Sequence, residues 1–199
     1  MKKLLLALTI AFSASVAQAE VVNHLSLSSG DSVTFTGDTH DVTTGATGGV
    51  FGQLSATQDT NLTVTFLGKE AWNTNFFMFN GTEVGGTSTS LVNVGDSFTF
   101  SVAAGLIDFG FGGSDTSAPA SNLTNYVGKI AYIENDGSYK DSQGNPFAFL
   151  IGFNDGGSPD GDYDDYVVGV SAVPVPASLP LLASALGMFG IARRRKTLA

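Results

Sequence analysis

The 199-residue chain contains no cysteine, so no disulfide can cross-link its fold. Another interaction must therefore hold the protein together. A core of phenylalanine, valine, leucine and isoleucine side chains can do this alone. A bound metal ion would add stability, because a ligand that binds only the native state favours that state.

Basic side chains are scarce in the middle of the chain. All 18 acidic residues of the sequence lie between residues 20 and 172, together with only three lysines, so this segment has a net charge of −15. These lysines are Lys69, Lys129 and Lys140. Such a surface repels nucleic acid and anionic membranes, and it attracts cations, divalent ones above all. We therefore expect no nucleic-acid partner.

Histidine is also scarce, since only His24 and His40 occur and both lie early in the chain. This bears on Gly30-Asp31-Ser32 and Gly95-Asp96-Ser97, which resemble the Gly-Asp-Ser block of one class of esterases. A serine nucleophile in that class needs a histidine base near the chain end, where this sequence has none. We therefore expect turns at both segments and a protein that is not an enzyme.

The N-terminus has the pattern of a secretory signal peptide. Lys2 and Lys3 precede an apolar run from Leu4 to Phe12, and small residues then lead to Ala17-Gln18-Ala19. This order predicts a cleavable signal helix over residues 1–19, with Ala17 and Ala19 defining the cleavage site. An ordinary buried first helix fits less well, because the run is too short to span a membrane and has the flanks of a signal.

The C-terminus combines prolines, an apolar stretch and a basic end. The stretch over residues 179–192 predicts a short membrane helix, below the ~20 residues of a standard spanning helix. An amphipathic surface helix is excluded because no polar face interrupts the stretch. Four cations follow it and would hold the chain end on the cytoplasmic side, with everything before residue 173 outside. These cations are Arg193, Arg194, Arg195 and Lys196.

The segment Val173-Pro174-Val175-Pro176-Ala177, with the apolar helix and basic end after it, resembles a PEP-CTERM sorting signal. The resemblance covers residues 173–199, and it departs from the eponymous Pro-Glu-Pro because Val175 replaces the glutamate. Such tails are processed by a membrane protease called exosortase, in Gram-negative bacteria that make extracellular polysaccharide. The resemblance implies transient anchoring in the inner membrane, then display on the cell surface or release.

Residues 20–172 have the length of one domain and the strand-rich usage of Gly, Thr, Ser, Asn, Val and Phe. Alternating apolar and hydroxyl residues predict half-buried strands over 33–36, 62–66 and 97–102. Further apolar segments predict strands over residues 76–79, 106–111, 127–133, 147–153 and 166–170.

Turn signals separate these segments, at Asn80-Gly81, Asn135-Asp136-Gly137 and Gly144-Asn145-Pro146. About eight to ten short strands, without a helical stripe between them, predict an all-β fold, an antiparallel β-sandwich or jelly roll. Residues 29–35 and 94–100 match closely. Two explanations are open, a Gly-Asp turn that feeds a strand in each case, or a two-fold internal repeat.

The densest charge lies between residues 153 and 166. Asp160, Asp162 and Asp164 recur at every second position, with Asp155 and Asp165 nearby, and three glycines allow sharp turns. Calcium prefers six to eight oxygen ligands from a flexible loop, so these five aspartates are predicted Ca²⁺ ligands. The run is not an EF-hand, because Asp165 stands where the loop glycine belongs and no helices flank it.

The same region, residues 147–170, resembles the C-terminal part of a family of bacterial domains of unknown function, the DUF4114 type. The match consists of Phe153-Asn154-Asp155-Gly156-Gly157 and of Gly161-Asp162-Tyr163-Asp164-Asp165-Tyr166-Val167-Val168. The resemblance implies that the carboxylates are calcium ligands. Two other interpretations stay open, a solvated acidic loop that keeps the surface soluble and a catalytic site.

The ends and the acidic run together predict an exported, surface-sorted, non-enzymatic protein. Its expected role is that of a calcium-stabilised structural or adhesive component of the extracellular polysaccharide or biofilm matrix. One alternative is a carbohydrate-binding module that stacks sugars on Trp72, Tyr126, Tyr139 or Tyr163. The other is a secreted hydrolase, which would need two carboxylates across a cleft that the sequence does not pair.

Three sequons begin at Asn61, Asn80 and Asn122. They would carry glycans in a eukaryotic secretory pathway, and the bacterial tail argues against that.

Overall fold

The computed structural model describes residues 24–35, 45–70, 73–86, 93–114, 119–124, 128–133, 135, 137–156, 161 and 163–174. The predicted signal peptide with Ala17 and Ala19 lies outside these residues, as do the apolar helix and the basic end. The described part is all-β, with twelve strands in two antiparallel sheets. The predicted fold class is confirmed at this level.

The strands are short, as the frequent turn signals predict. They are β1 (Leu25–Thr34), β2 (Gly48–Ala56), β3 (Thr60–Gly68), β4 (Asn75–Phe79), β5 (Thr82–Gly86), β6 (Ser97–Val102), β7 (Gly105–Leu106), β8 (Phe109–Gly113), β9 (Ala120–Ser121), β10 (Ile130–Ile133), β11 (Phe149–Phe153) and β12 (Tyr166–Pro174).

The larger sheet has the order β1-β2-β10-β11-β12-β3-β6, with β7 paired to β2. The smaller sheet has the order β5-β4-β8-β9. All pairs are antiparallel, and β11 joins β12 with Phe153 opposite Tyr166. The connection between these two strands therefore contains the acidic run.

The main core lies where the two sheets face each other. The larger sheet contributes alternate residues such as Val64, Ile151 and Val168, and the smaller sheet contributes phenylalanines. The ring of Phe111 stacks on that of Phe153, with centroids 5.2 Å apart and an angle of 9° between planes. Aromatic pairs of this kind add to the burial energy, so this Phe–Phe contact helps to hold the sheets together.

A second core covers the opposite face of the larger sheet. Its buried members are Phe35, Ala131, Ile133, Phe147, Leu150 and Tyr163. Because strand residues alternate between faces, β10 and β11 send neighbouring side chains into different cores. This two-sided burial explains why both strands are almost continuously apolar in sequence.

Turn chemistry accounts for the hairpin between β4 and β5. Asn80 and Gly81 have φ angles of 48° and 70°, which a two-residue type I′ turn requires at both positions. The hairpin predicted from this dipeptide is confirmed. Gly95, with a φ of 97°, likewise forms the predicted turn before β6.

The turn predicted at Gly30-Asp31 is wrong. These residues lie inside β1, where the pairing register with β2 shifts between Ser29 and Ser32. A β-bulge absorbs the one extra residue of β1, and the strand continues on both sides of it. Shared turn chemistry therefore does not explain the likeness of residues 29–35 to residues 94–100.

The segment predicted as one strand over 106–111 is two strands in different sheets. Leu106 ends β7, which pairs with β2, whereas Phe109 begins β8 of the smaller sheet. Ile107 and Asp108 connect them, and the Asp108 carbonyl accepts a hydrogen bond from Asn80 N at 3.0 Å. The chain crosses between sheets here, which a short apolar run does not reveal.

Candidate functional site

Three of the five predicted metal ligands lie at one end of the larger sheet, where β11 ends and β12 begins. Asp155 lies two residues after β11, and Asp164 and Asp165 immediately precede β12. Their side chains are only 6%, 1% and 9% exposed, in that order. Asp160 and Asp162 lie outside the described residues. We call the corner formed by Asp155, Asp164 and Asp165 the aspartate corner.

The pairing of β11 with β12 brings the two ends of the acidic run together. Asp165 Oδ2 accepts a hydrogen bond from the backbone N of Asp155 at 2.8 Å. A carboxylate that accepts from a backbone N–H is a charge-assisted pair, roughly twice as strong as a neutral one. The first and last aspartates of the run are therefore in direct contact.

Two asparagines at or just before the start of β4 complete the corner. Asp155 Oδ2 accepts from Asn73 Nδ2 at 3.0 Å and from Asn75 Nδ2 at 3.1 Å. Asn75 Nδ2 also donates to the Asp165 carbonyl at 3.1 Å, and this side chain is fully buried. The corner therefore joins both sheets through one carboxylate oxygen.

Sequence analysis did not single out these asparagines. They lie about 80 residues before the acidic run, at the entry to β4. The only local signal is a pair of amides two positions apart in front of an apolar strand. Alternation places residues two apart on the same face, but it does not say what that face meets.

Lys129 brings a positive charge to the same corner. Its Nζ donates to the Asp155 carbonyl at 2.6 Å, and its own carbonyl accepts from Asn154 N at 2.9 Å. Removing carboxylates from water is costly unless donors and opposite charge compensate them. The lysine and the asparagine amides supply that compensation.

Gly156 shapes the turn beside this lysine. Its φ is +79°, and its N–H donates to Asn154 Oδ1 at 2.7 Å, which closes a side-chain turn after β11. A Cβ at this position would lie 1.7 Å from Lys129 Nζ. The backbone angle therefore favours glycine, and a side chain at this position would displace the end of the lysine.

Tyr163 anchors the other side of the loop. It has a φ of +64°, which is rare for a residue with a side chain. Its ring lies in the second core, with the centroid 5.2 Å from that of Phe35. Burial raises the pKa of Tyr163 above the usual tyrosine value. Core packing thus holds an unusual backbone angle next to the candidate ligands, as often occurs at functional sites.

The described side chains do not form a complete metal site. Within the resolved ranges, no three histidine or acidic side chains are grouped so that they could hold a metal ion. Calcium takes six to eight oxygens, including carbonyls and amides as well as carboxylates. The full set with Asp160 and Asp162 stays a prediction, with Asn73 and Asn75 lying against its buried part.

The Gly-Asp-Ser segment at residues 95–97 is part of a turn. Asp96 Oδ2 accepts from the backbone N of Asn93 at 2.7 Å, and Ser97 Oγ lies 2.8 Å from Thr65 Oγ1. His24 Nε2 lies 3.3 Å from Gln58 Nε2, and His40 is outside the described residues. Asp96 thus makes a local contact that fits the predicted turn, and Ser97 makes a contact across strands β6 and β3.

Two of the four aromatic residues considered for sugar stacking lie among the described residues. Tyr163 is buried in the second core, and Tyr139 is half-buried against it. A ring inside a core presents no face to a sugar, so Tyr163 is removed from that set. Trp72 and Tyr126 lie outside the described residues.

The predicted sorting motif begins inside the fold. Val173 and Pro174 are the last residues of β12, paired with Asn61 and Thr60 of β3. Val175, Pro176 and Ala177 lie outside the described residues, as do Arg193, Arg194, Arg195 and Lys196. The first two residues of the motif therefore belong to the last strand.

No helix in the described part of the chain is long and apolar enough to cross a membrane. The predicted membrane helix over residues 179–192 falls outside that part. Comparison with protein-family models, with curated proteins and with solved structures finds no match to this chain.

Proposed function

We propose that this chain is an exported, non-enzymatic surface protein. It would act as a calcium-stabilised structural or adhesive component of an extracellular polysaccharide matrix. The packing of two antiparallel sheets through a shared core supports a β-sandwich as its architecture. The sorting part of the proposal rests on the sequence of the two ends.

The proposed route begins with export and cleavage after Ala19. The apolar segment over residues 179–192 would then hold the chain in the inner membrane, with the cations at 193–196 on the cytoplasmic side. Cleavage near Val173–Ala177 by an exosortase-type protease would release the domain to the cell surface. A surface location suits a chain without cysteine, because nothing in it depends on a reducing compartment.

One observation carries the calcium part of the proposal, the burial of the aspartate corner. A solvated acidic loop would leave its carboxylates in water, whereas Asp155, Asp164 and Asp165 are at most 9% exposed. Buried carboxylates on neighbouring positions repel each other unless positive charge lies close. Lys129 contacts this corner through the Asp155 carbonyl, and a divalent cation bound by the acidic run would add positive charge at the carboxylates themselves.

Thermal unfolding of the full chain tests the calcium proposal. Added calcium at about 100 times its dissociation constant contributes roughly 2.7 kcal/mol, which raises the midpoint by about 5–10 °C relative to excess chelator. The variant Asp162→Asn should lose most of that shift. Asp31→Asn, in the exposed bulge of β1, is the matched control and should keep it. Equal midpoints with calcium and with chelator would refute calcium stabilisation.

Cell fractionation tests the sorting proposal independently. In a bacterium that carries an exosortase, the mature protein should appear at the surface with both ends removed, as judged by intact mass. Replacing the cations at 193–196 by glutamine should leave protein that is cut at the front and retains its tail. An uncut chain in the cytoplasm would contradict export altogether.

A further inference from the structure

The larger sheet carries a row of polar side chains on its outer face, away from the main core. Leu62 and Val64 of β3 point into the main core, so the residues between them face outward. The same holds for β6, where Phe98 and Phe100 pack on that core. The outward residues are Asn61, Thr63 and Thr65 on β3, and Ser97, Thr99 and Ser101 on β6. We call these six residues the polar ladder.

Each residue of the polar ladder is hydrogen-bonded to the one opposite. Thr63 Oγ1 lies 3.0 Å from Thr99 Oγ1, and Thr65 Oγ1 lies 2.8 Å from Ser97 Oγ. A hydroxyl has one donor and two acceptor positions, and such a pair uses one of each. The Thr63–Thr99 pair therefore keeps one donor and three acceptor positions for other molecules. In the other pair, Ser97 Oγ also donates to the Gly95 carbonyl at 3.3 Å, and Thr65 is only 4% exposed.

A groove runs between the polar ladder and a loop that follows β10. Its volume is about 230 Å³, and its floor is formed by the Thr63–Thr99 and Thr65–Ser97 pairs. Ser171 of β12 adds another hydroxyl, and the side wall contains Asp141 and Gln143. The lining is hydroxyl, amide and carboxyl, without a basic side chain among its residues.

The loop wall is held in one shape by its own carboxylate. Asp141 Oδ1 accepts from the backbone N of Gln143 and of Asn145, each at 2.9 Å. The backbone N of Asp141 also donates to the Asn145 carbonyl at 2.8 Å. The Asp141 carboxylate is thus held within the loop wall, and the floor of the groove consists of uncharged hydroxyls.

We propose that this groove binds an uncharged polysaccharide chain, an inference that rests on the proposed matrix function and names its binding site. Sugar hydroxyls donate and accept, as the polar ladder does. The net charge of −15 over residues 20–172 disfavours anionic polymers, and no cation among the lining residues attracts them. Pre-formed hydroxyl pairs on a rigid sheet reduce the entropy lost when a ligand is bound.

Binding at a single groove is weak by its chemistry, because hydroxyl contacts with a sugar replace contacts with water of similar strength. Display of many copies on one surface strengthens the overall binding to a polymer. A long polymer that meets several grooves gains effective concentration at each further groove. The groove therefore suits an adhesive surface protein better than a receptor for a free sugar.

Affinity electrophoresis of the full chain in native gels tests the proposal. The gels contain dextran, hydroxyethyl cellulose or galactomannan as uncharged polymers, and alginate as an anionic one. At least one uncharged polymer should retard the wild type, and alginate should retard it less. The double variant Thr63→Val, Thr99→Val removes one hydroxyl pair while keeping the side-chain shapes. We expect it to lose at least tenfold in apparent affinity.

The matched control is Thr34→Val, the same substitution at an exposed site on β1, at the opposite edge of the sheet. It should bind like the wild type. Gln143→Ala, which changes an exposed loop residue, gives a second variant that does not alter the sheet, with an expected loss of at least threefold. The inference is overturned if no uncharged polymer retards the wild type, or if all variants bind equally.

These outcomes are separable from those of the proposed function. Calcium-dependent melting and surface sorting involve residues outside the groove. If both are observed while the groove variants bind as the wild type does, only the groove assignment fails. If the groove variants lose binding while the chain stays in the cytoplasm, only the surface function fails.

Discussion

Tyr132 donates a hydrogen bond of 2.6 Å to Asn122 Oδ1 in the protein interior. Tyr132 lies in β10 of the larger sheet, and Asn122 directly follows β9 of the smaller sheet. The same Oδ1 accepts from Leu54 N at 2.8 Å, and Asn122 Nδ2 donates to the Leu54 and Ile107 carbonyls at 2.9 and 2.7 Å. Both donors and both acceptor positions of this amide are used, so Asn122 joins the sheets.

Replacing Asn122 by leucine should therefore destabilise the fold strongly. The substitution leaves the Leu54 N–H and the Tyr132 hydroxyl without this acceptor in the interior, at about 1–3 kcal/mol each. We expect a total loss of about 3–5 kcal/mol in the free energy of unfolding from urea titrations. Tyr132→Phe removes only one of these bonds and should cost about 1–2 kcal/mol. Equal losses for the two variants would contradict this role of the amide.

Buried tyrosines should make stability fall in alkaline solution. Burial raises the pKa of Tyr132, and burial together with the charge of Glu83 raises that of Tyr166. Above the ordinary tyrosine pKa of about 10, the unfolded chain releases these protons while the folded chain retains them. The folded state then binds more protons, so its stability decreases as the pH rises.

The decrease should begin near pH 10 and approach about 1.4 kcal/mol per pH unit for each such tyrosine. Urea titrations between pH 8 and pH 11.5 measure it. Tyr132→Phe should be less stable than the wild type at pH 8 and should lose stability less steeply above pH 10. A variant with the wild-type slope would show that Tyr132 does not titrate in this way.

Much of the fold could be predicted from residues whose local chemistry decides their structure. The alternation of Thr and apolar residues in β3 and β6 specifies which side faces the core, because one face of a strand is buried. Asn80-Gly81 specifies its hairpin through backbone angles alone. In both cases neighbours in sequence are sufficient to determine the result.

Other features depend on contacts between distant segments. β2 has no clear alternation because Gly48, Gly49 and Gly52 lie against neighbouring backbone, and a Cβ at Gly52 would lie 2.3 Å from the Ser28 carbonyl. The burial of Asp155 depends on Asn75 in the other sheet. Sequence alone suggests that an acidic run is exposed to solvent. The amides that hydrogen-bond its carboxylates are distant in sequence and are brought close only by the tertiary fold.

Gly169 in β12 should tolerate no side chain. A Cβ there would lie 2.6 to 2.8 Å from ring carbons of Phe147, which is buried in the second core. Gly169→Ala should therefore cost about 1–3 kcal/mol through overpacking, measured by urea unfolding. In the double variant with Phe147→Leu the cost of the alanine should be smaller, because the ring that it meets is gone. Additive losses would argue against this contact as the cause.

Asn75 and Asn73 offer a matched pair at the aspartate corner, since both donate to Asp155 Oδ2. Asn75→Ala should lower the free energy of unfolding by about 2–4 kcal/mol. It removes a fully buried donor to the Asp155 carboxylate and to the Asp165 carbonyl. Asn73 is only half-buried, so water can replace its amide, and Asn73→Ala should cost about 1 kcal/mol.

The double variant distinguishes a shared role from two separate ones. After either single substitution, one asparagine amide still donates to Asp155 Oδ2. After both substitutions, neither amide is left to donate. We therefore expect the double loss to exceed the sum of the single losses by about 0.5–3 kcal/mol in urea unfolding. Strict additivity would mean that the two asparagines stabilise the corner independently, and that the carboxylate is compensated by other groups.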